Sequence, residues 1–256
     1  MSEPMPDRSA LSREEKLALL ARVARQKERA VRAFPLTFAQ QRLWFLDRLE
    51  PGNYANNIFR AVTWSGPLDA GVLRRALAEV VRRHEALRAT FPEVNGEPQQ
   101  RVGAAADFPL PAEDLSELPP EEGRRRAREL AEEESRRGFD LARGPLFQAR
   151  LLRLAVEEHV LLLVLHHIVS DGWSMGLLFH ELAVLYRAFA AGLPSPLPEP
   201  ALQYPDFAAW QRERLTDERL AVELAWWRER LAGFPDYLEL PGDRPRPAGG
   251  SFRGAL

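Results

Sequence analysis

The sequence predicts an α/β fold in which helices cover a mixed β-sheet. Three observations predict it. Strand-like runs alternate with helical periods along the chain. One run, Val160-Leu161-Leu162-Leu163-Val164-Leu165, is apolar on both faces, as a central strand covered on both sides requires. Amphipathic segments lie before and after that run, with Leu73, Ala76, Leu77 and Val80 on one stripe and Leu178, Leu182, Leu185 and Phe189 on another.

The elements follow in order. Residues 1–33 are charged and read as a leader with an entry helix, because Ser12-Arg13-Glu14-Glu15 has capping-box spacing. Residues Ala39 to Leu49 have a helical period, and Pro51-Gly52-Asn53 is a turn. Ile58 to Trp64 reads as a strand. Asp69 is placed to cap the helix that carries Leu73 to Val80 and ends near His84. Leu87 to Phe91 reads as a strand, and Asn95-Gly96 as a hairpin turn. The stretch 103–120 reads as a surface connection and 121–137 as a charged amphipathic helix. Leu146 to Leu154 and His159 to Leu165 are strands joined as a hairpin, and Met175 to Ala191 is a helix. Alternating prolines from Pro194 to Pro200 mark an extended linker. Two helices close the pattern, Tyr204 to Leu215 and Glu218 to Leu231. A proline-locked segment at 241–256 follows the lobe at 34–240.

Composition bounds the function. The chain has 256 residues, 45% of them hydrophobic, which suffices for a packed core. The net charge of −2 gives no electrostatic reason to expect nucleic acid or an anionic membrane as partner. The basic cluster Arg124-Arg125-Arg126 sits among glutamates and reads as a solvated helix face. No cysteine is present, which excludes disulfides, zinc-thiolate sites and cysteine nucleophiles. No apolar run is long enough to span a bilayer, and Met1 to Arg13 lacks the apolar core of a secretory signal. The expected location is the cytoplasm.

The chemistry concentrates in His166-His167-Ile168-Val169-Ser170-Asp171-Gly172-Trp173-Ser174, directly after the central strand. Adjacent strand side chains point to opposite faces, so the two histidines cannot share one task. Histidine is the usual proton carrier near neutral pH. Gly172 permits a sharp turn and close approach of a substrate to the main chain. An N–H near that turn suits a developing oxyanion. A metal site from His166, His167 and Asp171 is disfavoured because the ligands diverge. Residue spacing alone leaves an ordinary turn with core histidines as the alternative.

Five segments together resemble nonribosomal peptide synthetase condensation domains. His166-His167-x-x-x-Asp171-Gly172-Trp173-Ser174 is similar to their core motif. Thr37-Phe38-Ala39-Gln40-Gln41-Arg42-Leu43-Trp44-Phe45-Leu46 resembles the first motif. Arg83-His84-Glu85-Ala86-Leu87-Arg88-Ala89-Thr90-Phe91 resembles the second, with Ala89 where Thr is usual. Tyr204-Pro205-Asp206-Phe207-Ala208-Ala209-Trp210-Gln211 resembles the fourth, and Leu240-Pro241-x-Asp243-Arg244-Pro245-Arg246-Pro247 the link after it. They occur in the family's order.

The resemblance implies a chloramphenicol acetyltransferase-like lobe, with the second lobe absent from this chain. It implies amide formation between a donor acyl thioester and an acceptor aminoacyl thioester. Both substrates ride on the 4'-phosphopantetheine of donor and acceptor carrier proteins, with no cofactor bound directly. Adenylation domains and the C-terminal lobe are the implied neighbours. By resemblance His167 is the central residue, and Gly172 offers its N–H to the thioester oxygen. His166 is structural, Asp171 forms a buried salt bridge with Arg88, and Trp173 and Ser174 line the substrate channel. No metal is implied. Core packing is expected for Trp44 and Trp210, and a structural role for Arg83 and His84. The stretch Leu46 to Asn53 looks like domains that join two L-configured residues. The competing expectations are a non-catalytic carrier-protein docking fragment and a related stand-alone acyltransferase.

Overall fold

A computed structural model describes residues 32–235. In chain order the elements begin with β1 (Arg32–Phe34), α1 (Phe38–Leu49), β2 (Asn57–Ser65) and α2 (Ala70–Arg83). Four short strands follow: β3 (Ala89–Thr90), β4 (Glu93–Val94), β5 (Glu97–Pro98) and β6 (Gln100–Val102). Then come β7 (Ala112–Asp114), α3 (Pro120–Ser135), β8 (Phe147–Ala155) and β9 (Glu158–His166). The helices α4 (Gly172–Ala190), α5 (Tyr204–Arg214) and α6 (Asp217–Arg230) complete the described chain.

The main sheet has the order β2-β9-β8-β7. β9 pairs antiparallel with both β2 and β8, and β7 joins β8 in parallel, so the sheet is mixed as expected. The apolar run sits in the middle because both of its faces are covered. Leu161, Leu163 and Leu165 point into a core shared with α2 and α4. Leu162 packs with Leu130 of α3, and Val164 with Phe139 and Ile168. Burying a leucine-sized side chain is worth about 1.5–3 kcal/mol. An interior strand with two covered faces therefore anchors everything attached to its ends.

A buried ion pair fastens α2 to α4. Arg83 holds Glu181 in a bidentate fork at 3.0 and 3.3 Å, with both side chains under a tenth exposed. His84 Nε2 lies 2.9 Å from the same carboxylate. Arg83 and His84 are thus structural, as the sequence predicts, although His84 also borders the cleft described below.

The structure corrects several expectations. Arg32 and Ala33, assigned to the leader, form β1 against β6. The rest of the leader, with its capping-box spacing, and the segment 241–256 lie outside the described residues. The connection 103–120 contains β7, whose Ala-Glu-Asp sequence has low strand propensity. Flanking hydrogen bonds, Leu151 N–H to Pro111 O at 2.9 Å and Leu115 N–H to Arg153 O at 2.8 Å, hold it in the sheet. The run from Leu87 to Phe91 is a strand only at Ala89–Thr90, because Glu85–Arg88 forms a 3-10 turn first. Trp44 is partly buried and donates to Phe91 O at 3.1 Å, but Trp210 is half exposed and stacks on Phe207. The Asn95-Gly96 turn is as expected, with φ of 55° and 83° between β4 and β5.

Candidate active site at the end of the central strand

The two histidines stand at the end of β9, His166 as its last residue and His167 as the first of the turn after it. His166 ends β9 on the face of Leu162 and Val164, away from α2 and α4. It is 2% exposed and meets the Phe139 ring edge-on at 6.2 Å. Its Nδ1 accepts the Ile168 N–H at 3.1 Å, which fixes the bare nitrogen on that side. Burial, with the neighbouring His167, pushes its pKa down to about 4. His166 is therefore neutral at physiological pH and does not line the cleft described next.

His167 falls on the other face. Its main-chain N–H donates to Asn56 O at 2.8 Å, and its ring stands exposed in a cleft of about 590 Å³. Among the described residues, no hydrogen bond engages that ring. Val80 of α2, Leu177 and Leu178 of α4, and Leu43 and Leu46 of α1 supply apolar wall. Gln40, Gln203, Tyr204 and Ser174 supply polar groups. An apolar trough with a few convergent polar atoms suits an acyl group carried on a hydrogen-bonding arm.

Asp171 and Gly172 build the rim. Asp171 is the N-cap of α4, and its Oδ1 accepts from Ser174 N–H at 2.8 Å and Ser174 Oγ–H at 2.7 Å. Those bonds hold its carboxyl below the usual carboxylate range, with a smaller contribution from the charge of His167. Gly172 is the first helical residue and has no positive φ, so the sharp-turn argument for glycine does not apply here. A Cβ at Gly172 would meet nothing within 4 Å, so no close contact among the described residues requires glycine there either. Its N–H is a first-turn donor without an intrahelical acceptor, at the positive end of the helix dipole.

Two expectations for this loop are corrected. Asp171 does not pair with Arg88. Its carboxylate is committed to the cap, while Arg88 lies in the 3-10 turn, donates to Gly103 O and sits 3.5 Å from Glu85. The helix also begins three residues earlier than its apolar period suggests, so Trp173 occupies the first turn. There it is 88% exposed and does not line the cleft, whereas Ser174 does. The cleft thus brings together His167, Asp171 and Ser174, with Gly172 beside them, and leaves His166, Arg88 and Trp173 outside. Sequence reasoning missed Gln40, whose Thr37-x-x-Gln40 spacing is a capping-box signal. No cluster of metal-binding side chains occurs among the described residues.

The fold and site thus define a mixed-sheet lobe with one histidine open to a cleft at the end of its central strand. The Condensation domain family profile matches residues 31–255, and the chain belongs to that family. It is 47% identical over 222 residues to a linear gramicidin synthase polypeptide of Brevibacillus parabrevis, covering 87% of this chain and 3% of that protein. It is 44% identical over 221 residues to phosphinothricin tripeptide synthetase PhsC of Streptomyces viridochromogenes, covering 86% and 20%. Among solved structures, the starter condensation domain of rhizomide synthetase RzmA aligns with a TM-score of 0.72 at 22% identity, over 80% of this chain and 49% of that one. The X-domain from teicoplanin biosynthesis aligns at 0.68 and 35% identity, over 86% and 49%. The chain spans about half the length of these solved relatives and a small part of the synthetases.

Proposed function

We propose that the chain is the N-terminal half of a condensation domain that forms an amide in nonribosomal peptide synthesis. The division of the two histidines carries the reading: one is buried and neutral, and the other stands open at the cleft. The donor is an acyl thioester and the acceptor an aminoacyl thioester, each on the 4'-phosphopantetheine of a carrier protein. The free acceptor amine attacks the donor carbonyl. A C–N bond forms, the C–S bond breaks, and the thiol leaves with the proton that the amine gives up. His167 holds the amine and takes that proton on its way. The Gly172 N–H faces the oxygen on which negative charge develops. An α-ammonium has a pKa of about 8, so deprotonation asks little of the histidine. Positioning therefore supplies a large share of the rate.

On this reading the lobe takes in β1 from Arg32 onward, and 241–256 lead to a C-terminal lobe that closes the cleft. The cytoplasm, where loaded synthetases work, is the setting, and the subtype is the one joining two L-configured residues. The test mixes this chain, a complementary C-terminal lobe and both loaded carriers, and follows the dipeptidyl thioester by mass spectrometry. Product with both lobes and little with this one alone supports the reading. A second reading, a non-catalytic docking fragment, draws on the solved complex of the teicoplanin X-domain with OxyB, 33% identical to this chain. Tight carrier binding without product under any combination of lobes would favour it.

A further inference from the structure

Among the described residues, one side chain from outside holds the loop that presents His167, Gln40 of α1. Gln40 is 2% exposed and also borders the cleft. Its Oε1 accepts the Thr37 N–H at 3.0 Å, which fixes its Nε2 as the atom facing Ile168 O at 3.4 Å. Ile168 C=O and Val169 N–H belong to one peptide plane. The Val169 N–H donates to His166 O at 3.1 Å, so that plane is gripped from both sides. It lies one residue beyond His167, and Ile168, Val169 and Ser170 are all buried.

The N-terminus of α1 is itself clamped by α5. Phe38 N–H donates to Gln211 Oε1 at 3.1 Å, and Arg212 donates to Leu36 O at 2.8 Å and to Gln41 Oε1 at 2.7 Å. The Arg212 guanidinium lies over the Phe38 ring at 4.1 Å. Gln40 is therefore the end of a hydrogen-bonded path that starts on a separate helix.

We propose that Gln40 is a positioning residue: its amide sets the Ile168–Val169 peptide, and through it the direction of the His167 ring, by tying the loop to the α1–α5 clamp. The proposal rests on the reading of His167 as the working histidine. Two variants separate positioning from plain stability. Gln40→Met keeps the side-chain length and removes both amide bonds. Thr37→Ala removes the Oγ1 cap on Gln40 N–H, 3.1 Å long, and leaves the Gln40 amide in place. In the intact chain, amide exchange and histidine NMR signals are compared. Gln40→Met speeds exchange of the Val169 N–H by about tenfold, the size expected for one lost hydrogen bond, and shifts the His167 ring signals. Thr37→Ala lowers thermal stability and leaves both readouts at wild-type values. In the two-lobe condensation assay, Gln40→Met lowers kcat by roughly tenfold to a hundredfold with KM nearly unchanged. An unchanged Val169 exchange rate and unchanged His167 signals in a folded Gln40→Met variant would overturn the proposal. A loosened loop with wild-type kcat would also overturn it, provided that His167→Ala is inactive. If His167→Ala is active too, the failure belongs to the reading of His167.

Discussion

At the scale of single residues, Asp171 changes role most. The motif resemblance suggests a buried partner for Arg88, which would make removal costly on the order of 3–5 kcal/mol. The structure makes it a helix cap at the rim. Asp171→Ala should cost about 0.5–2 kcal/mol, and Asp171→Asn, which still accepts at the cap, should cost little. A melting temperature that falls by about 2–4 °C per kcal/mol checks this. Because its folded pKa is depressed, the stability that Asp171 contributes is present above its unfolded pKa and lost as pH falls through the folded value. His166 acts in the same direction for a different reason. Its pKa drops from 6.5 unfolded to about 4 folded, so the unfolded chain takes up its proton first. Wild type should lose on the order of 3 kcal/mol between pH 6.5 and 4 that His166→Asn does not lose. Urea midpoints at pH 7 and 4.5 for both proteins measure the difference. The opposite facing of the two histidines is legible in the sequence from strand alternation up to His166, and the His167 N–H bond to Asn56 O carries the pattern one residue past the end of β9. The acceptors that Arg88 and Asp171 find are not, since such partners come from distant chain segments.

At the scale of elements, the Arg83–Glu181 fork is the joint that matters most. It docks α2 against α4, the two helices that wall the cleft on the α4 side. Burial opposes the charge on Glu181, yet bonds from Arg83 and His84 hold its pKa below the usual carboxylate range. Glu181→Ala strands an arginine that is 4% exposed and should destabilise the chain by roughly 3–5 kcal/mol in chemical denaturation. A loss below about 1 kcal/mol would mean that water reaches Arg83. Long elements are legible because their apolar period is strong: β9, α2 and the hairpin of β8 and β9 stand where alternation and turns put them. β7 is not, since a three-residue strand of Ala, Glu and Asp carries no pattern and owes its place to the backbone of β8. The start of α4 is hidden as well, because Gly172 and Trp173 precede the first buried residue of that helix, Met175.

At the scale of the whole molecule, α5 and α6 are the helices that leave the most aromatic surface open among the described residues. No residue of α6 is buried, and Trp226, Trp227 and Leu231 at this end of the chain are each about half exposed, as are Phe207 and Trp210 of α5. Aromatic surface left open to this extent is unfavourable in water and drives association. Sedimentation of the chain alone should show concentration-dependent self-association, reduced by the double variant Trp226→Arg, Trp227→Arg. The family identity is legible from five short motifs in order, while the openness of the cleft requires coordinates. The most direct test of the account replaces each histidine separately in a two-lobe domain supplied with loaded donor and acceptor carriers. His167→Ala should abolish most amide formation, and His166→Asn should retain it while lowering stability. Near-normal turnover in His167→Ala, with His166→Asn folded but inactive, would contradict the account.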